Sequence, residues 1–212
     1  MKSAIELNTW NRKEHFEFFN NFDEPFFGIV SDIDCTEAFS FCREKNLTFF
    51  HFYLFQSLRA ANQVEAFRYR IEDGKPVVYD NVHASSTISR PDKTFGFSFI
   101  PFVESFTDFS EVVKKETAAV AATSGLRLNA NTRRNDVIHF SVLPWISFQG
   151  LTHARHFQYK DSIPKITFGK YYESGNKLFM PVSVNAHHGL MDALHVALFL
   201  DQLAVYLKSP SV

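Results

Sequence analysis

Two cysteines in 212 residues leave no material for a disulfide framework. Cys35 and Cys42 stand seven positions apart on what reads as one helix. About 10 Å of helix axis then separates them, beyond the reach of a disulfide. Reduced thiols are expected, and with them a cytoplasmic location. No stretch approaches the ~20 uncharged apolar residues of a membrane span, so no membrane is expected among the partners. The opening residues Met1-Lys2-Ser3-Ala4-Ile5-Glu6 lack the apolar run of a secretion signal. Lysine and arginine (22) nearly balance aspartate and glutamate (23), giving a formal net charge of −1. With no basic stripe, nucleic acid is excluded as a partner. Repeats, low-complexity tracts and Gly/Ser linkers are also missing, and residues 1–212 read as one domain.

What is abundant is phenylalanine, with 25 residues. Each ring buries roughly 150–250 Å², so an aromatic-rich core is expected, with rings to spare for an apolar pocket or a subunit contact. Helical and strand signals interleave along the chain, which predicts an α/β domain. Residues 36–45 read as a short helix entered through Asp34 or Thr36. From Thr48 onward Phe49, Phe52, Leu54, Phe55, Leu58 and Ala61 follow a helical stripe. Asp73-Gly74 between 67–71 and 77–79 is a hairpin signature. Phe95, Phe97 and Phe99 alternate with small residues, and 110–122 looks helical. Ile138, Phe140 and Val142 alternate, with Ser141 pointing away from Phe140. Gly175-Asn176 separates strand-like 165–172 from 178–184, and the last helix is expected over about 192–208. Hairpins and longer helical crossovers together predict a mixed sheet.

The best candidate for chemistry is His187-His188-Gly189-Leu190-Met191-Asp192-Ala193-Leu194-His195. On one helix, His188, Asp192 and His195 would share a face and could bind a metal. The preceding strand instead leaves His188 in the connecting turn and Asp192 at a helix N-cap. Histidines that only pack and hydrogen-bond would also fit. Proton transfer near neutral pH is the chemistry for which a histidine in such a loop is best suited.

His188-Gly189-Leu190-Met191-Asp192 resembles the His-x-x-x-Asp-Gly motif of the chloramphenicol acetyltransferase family and the related dihydrolipoamide acyltransferases. Further blocks extend the resemblance over nearly the whole chain. Trp10-Asn11-Arg12-Lys13-Glu14-His15-Phe16-Glu17 is similar to the family's N-terminal block, and Ser141-Val142-Leu143-Pro144-Trp145 to its Ser-x-x-Pro-Trp segment. The hairpin region and Thr167-Phe168-Gly169-Lys170-Tyr171 match in order.

The resemblance implies a mixed β-sheet flanked by helices in a two-layer sandwich, and O-acetylation with acetyl-CoA as co-substrate and no permanently bound cofactor or metal. Chloramphenicol is the implied acceptor and antibiotic resistance the implied role. Transfer would be direct, in a ternary complex. His188 would be the general base, its other ring nitrogen held by its own carbonyl. Ser141 would bind the oxyanion, and Thr167 would assist through a water. Asp192 and Arg12 would form a buried ion pair supporting the loop. Trp145, Lys170 and Tyr171 would contact coenzyme A; Phe19, Pro25, Phe95 and His153 would line the acceptor pocket. The protein would be a homotrimer in which His188 of one subunit faces a pocket partly built by the next.

Ala193 stands where the family has glycine, and Pro25 and His153 where small or apolar side chains are usual. The same reaction on another hydroxyl acceptor, or an inactive binder of apolar ligands, are the alternatives these departures raise. A Ser-His hydrolase is disfavoured because Ser141 lacks a Gly-x-Ser-x-Gly elbow. An acetyl-cysteine route would need cysteines that are not buried on a helix.

Overall fold

The segment from Thr48 shows how sequence becomes core. Ten of the fifteen residues of its helix are buried, Phe52, Leu54, Leu58, Ala60 and Ala61 completely. Such a helix is held by what packs around it, here a sheet on one side and helices on the other. The computed structural model describes residues 1–158 and 160–212. In chain order the first elements are β1 (Lys2–Ala4), α1 (Lys13–Phe19), β2 (Phe26–Asp34), α2 (Thr36–Glu44) and α3 (Phe49–Gln63). Next come β3 (Tyr69–Glu72), β4 (Lys75–Tyr79), β5 (His83–Ser89), β6 (Phe95–Phe97) and α4 (Phe106–Ala121). The chain closes with β7 (Val137–Leu143), β8 (Lys165–Gly169), β9 (Tyr172–Ser174), β10 (Lys177–His187) and α5 (Ala193–Lys208).

The expected α/β architecture with a mixed sheet and flanking helices forms. The main sheet runs β2-β10-β8-β7-β5-β6, with β9 paired to β10. β5, β7 and β8 are mutually parallel; β10 is antiparallel to β8 and β2, and β6 to β5. A small antiparallel sheet, β1-β4-β3, carries the Asp73-Gly74 hairpin, both turn residues having positive φ as a tight hairpin requires.

Register divides the main sheet into two faces. Phe140 pairs with Ile166, Val142 with Phe168, and Phe168 with Val182. This set faces α3, where the Tyr53 and Phe168 rings lie 4.8 Å apart. On the other face the same register aligns two polar rows, Ser85–His139–Lys165–Asn185 and Ser141–Thr167–Ser183. A sheet buried on both faces ordinarily reads as a continuous apolar run. Here one face is core and the other is polar.

Several details depart from the sequence reading. The fourth helix starts at Phe106, earlier than position 110, because Ser105 caps it by accepting the Asp108 N–H. The strand expected over 165–172 breaks at Lys170 and Tyr171 into β8 and β9, both paired to β10. Around β6 it is the small residues that turn inward. A side chain at Gly96 would strike the Arg90 guanidinium and Val120, and Ser98 is fully buried, whereas Phe95 is exposed. Phenylalanines fill the core, with Phe52, Phe67, Phe109, Phe140, Phe168 and Phe199 fully enclosed, yet Phe18, Phe22, Phe95 and Phe157 remain outside. Both cysteines are buried free thiols, Cys35 preceding α2 and Cys42 within it.

Candidate active site

His188 sits one residue past the end of β10, in the turn into α5. Its backbone N–H donates to the Pro25 carbonyl at 2.8 Å. Its ring stacks on Phe19, with centroids 4.1 Å apart and planes at 8°, and leans on Phe27 at 4.7 Å. Nδ1 is enclosed without a hydrogen-bond partner among the described residues. The bond expected to its own carbonyl is not made; that carbonyl accepts from Arg12 Nη2 at 3.1 Å. Of the two ring nitrogens, Nδ1 is thus the one closed off from solvent. The turn is tight because Gly189 makes it so: a Cβ there would crowd the His187 ring and the Phe16 backbone. The Gly189 N–H donates to His187 Nδ1 at 3.1 Å, and burial takes the His187 pKa down to about 4.

Arg12, buried at the start of α1, binds Asp192 through Nη1 and Oδ2 at 2.7 Å. Asp192 is also the N-cap of α5, accepting the Leu194 N–H at 3.1 Å while its own N–H donates to His195 Nδ1 at 3.2 Å. One carboxylate thus ties the helix start to α1, and Arg12 passes the tie on to the His188 carbonyl. Ala193 is the first helical residue and has no positive φ, so alanine fits where glycine was expected. Asp192 is taken up by Arg12 and His195, and no group of three or more metal-ligating side chains occurs among the described residues.

Burial alone would raise the Asp192 pKa, but the Arg12 hydrogen bond and the nearby His195 ring outweigh it and bring it to about 2. A folded value below the unfolded one means stability present above the ordinary carboxylate range and lost as pH falls toward 2. Asp192→Asn keeps an N-cap but strands the Arg12 charge, at a cost of roughly 3 kcal/mol, the low end for buried pairs because Asp192 is partly exposed. Melting curves between pH 6 and 2 should show a lower Tm for the variant at pH 6 and a shallower fall in acid.

Ser141 and Thr167 lie elsewhere. They are direct neighbours across β7 and β8. Thr167 is 1% exposed and its Oγ1 has no partner among the described residues. Ser141 opens onto a cavity of about 390 Å³ that also meets Phe95, Phe97, His153 and Lys165. Two of the expected acceptor residues, Phe95 and His153, therefore belong to the Ser141 cavity, whereas Phe19 and Pro25 belong to His188. Trp145, Lys170 and Tyr171 are exposed at the carboxyl ends of β7 and β8, just beyond Ser141 and Thr167; Tyr171 rests on Phe39 at 5.2 Å.

One chain does not bring His188 to Ser141. Ser183 is in line with Thr167 and Ser141, and His188 lies five residues further along the chain, just past the end of β10. At about 3.3 Å per residue and 4.8 Å per strand, the two are roughly 19 Å apart. The sequence reading had gathered Ser141 and Thr167 around the histidine; within a single subunit they lie apart from it. Sequence reasoning also missed Ser85, His139 and Lys165, which register places beside Ser141. Their signal was the polar partner in each alternating pair of β5, β7 and β8.

A helix-backed mixed sheet carrying a histidine turn and a Ser-Thr pair is the scaffold of a group of acyltransferases. Residues 2–204 match the family described as chloramphenicol acetyltransferase, and the chain belongs to this acyltransferase family. A chloramphenicol acetyltransferase of Campylobacter coli is 27% identical over 203 residues, covering 95% of this chain and 96% of the relative. A solved chloramphenicol acetyltransferase superposes with a TM-score of 0.91 at 28% identity, over 98% of this chain and 100% of the other. A dihydrolipoamide acetyltransferase of Azotobacter vinelandii shares the fold, with a TM-score of 0.69 at 16% identity over 92% of this chain and 86% of its own.

Proposed function

We propose that this protein is a cytoplasmic acetyl-CoA-dependent O-acetyltransferase that acetylates chloramphenicol, conferring resistance, and works as a homotrimer of single-domain subunits. What carries the reading is the pair of incomplete half-sites. His188 stands roughly 19 Å from the Ser141 cavity of its own subunit, and Ser141 lines that cavity with Thr167 paired to it across β7 and β8. In a ring of copies, His188 of one subunit faces the Ser141 cavity of the next.

The reaction is a direct transfer between two bound substrates. Nε2 of neutral His188 takes the proton of the acceptor hydroxyl as that oxygen bonds to the thioester carbonyl carbon. Ser141 Oγ donates to the resulting oxyanion, and the unpartnered Thr167 hydroxyl supports it through a water. Collapse breaks the carbon–sulfur bond, and the imidazolium returns its proton to the departing coenzyme A thiolate. Arg12 and Asp192 position the turn. Trp145, Lys170 and Tyr171 hold coenzyme A at the strand ends; Phe19, Pro25, Phe95 and His153 enclose the acceptor.

Incubation with acetyl-CoA, chloramphenicol and a thiol reagent tests this directly. Free coenzyme A should appear only with the acceptor present, and Ser141→Ala should lower kcat by about 10²–10³-fold. No release with any alcohol would make the protein a ligand binder instead.

A further inference from the structure

The cavity beside Ser141 is largely apolar, yet it carries a row of polar side chains that an aryl-binding pocket would not need. Its walls are Phe95 and Phe97, but its inner end is the row Ser85–His139–Lys165, with His153 above it. Two of these groups have no partner among the described residues. Ser85 Oγ is enclosed on a residue 2% exposed, and His153 Nε2 is enclosed likewise. A buried hydrogen-bonding group left unpaired costs about 1–3 kcal/mol. Two at the end of one cavity suit a guest that satisfies both.

We propose that the acceptor pocket selects alcohols bearing a second, uncharged hydrogen-bonding group, a hydroxyl or carboxamide, roughly 7 Å from the reacting hydroxyl. This rests on the acetyltransferase reading. The distance follows from register: the Ser85–His139–Lys165 row is two residues from the Ser141–Thr167 row along parallel strands, and two residues span roughly 7 Å. An aromatic ring packed against Phe95 and Phe97, whose own rings touch edge to face at 5.7 Å, bridges that span.

The electrostatics favour a neutral group. Lys165 hydrogen-bonds Asp161, and Arg155, which approaches Asp161 to 3.7 Å, also pairs with Glu24 at 3.4 Å, so two carboxylates match the two cations. Burial first, then Lys165, lowers the pKa of both His139 and His153, leaving their rings uncharged at neutral pH. A carboxylate or ammonium brought here finds no free counter-charge. A hydroxyl can donate to an imidazole nitrogen and accept from Ser85 at once.

Four chloramphenicol analogues differing only in the para substituent, nitro, methyl, hydroxyl or carboxamide, form the test. In wild type, kcat/KM for the hydroxyl and carboxamide compounds should exceed that for methyl by about tenfold or more, since sites built to bond a polar group reject analogues lacking it. In Ser85→Ala/His153→Leu the order should reverse, with methyl preferred over hydroxyl and carboxamide. Calorimetric dissociation constants for the four compounds on both proteins should follow the same orders without turnover. Equal use of all four by wild type, or an unchanged order in the double variant, would overturn the proposal. Failure of acetyl transfer while the binding order holds would instead overturn the acetyltransferase reading alone. A melting curve matching wild type shows that the double variant folds.

Discussion

His188→Ala should lower kcat by about 10²–10⁴-fold while KM for acetyl-CoA and acceptor changes only a few-fold, as for loss of a proton-transfer group. The ring is half-buried, and its enclosed Nδ1 makes no hydrogen bond that the fold would lose. Its ring contacts are the stack on Phe19 at 4.1 Å and the tilted packing on Phe27 at 4.7 Å. The melting temperature should therefore stay within a few degrees of wild type, and the backbone bonds to Pro25 and Arg12 should persist. Coenzyme A release, followed with a thiol reagent, measures the rate. A variant retaining more than about a tenth of wild-type kcat would remove His188 from the chemistry.

Mixing two inactive proteins should restore activity. His188→Ala keeps an intact Ser141 pocket, and Ser141→Ala keeps an intact base. If each site pairs His188 of one subunit with Ser141 of its neighbour, unfolding and refolding an equal mixture regenerates complete sites. In a closed head-to-tail ring about one site in four is then complete, so roughly a quarter of wild-type activity should return from two parents that each show about 1% or less. Were His188 and Ser141 to act within one subunit, the mixture would stay as inactive as its parents. The roughly 19 Å separation set by strand register predicts recovery. Sedimentation of the same mixture should report trimers.

How far the site was legible depended on whether each residue's role is local. Asp192 as N-cap and His188 in the preceding turn follow from spacing alone, because a strand, a Gly-containing turn and a helix start are encoded within nine residues. The Arg12–Asp192 pair spans 180 positions and rested on family resemblance; the tertiary structure supplies its 2.7 Å contact. The buried Arg70 was missed entirely. Its guanidinium donates to the Asn135, Phe67, Tyr69 and Val137 carbonyls, anchoring the small sheet to the start of β7. An arginine satisfied by backbone oxygens leaves no acidic partner in the sequence to announce it.

By itself, the sequence determined the alternation of helices and strands, the aromatic core, the hairpin at Asp73-Gly74 and the histidine turn, since each is a matter of residues within a few positions. It also carried the family through ordered blocks. Only the tertiary structure decided which side chains share a site. Strand order and register are long-range choices: pairing β7 with β8 joins Ser141 to Thr167, and the rest of β10 beyond Ser183 carries His188 away from both. The same register set Ser85 and Lys165 beside His139, giving the cavity a polar end that no local pattern prescribes.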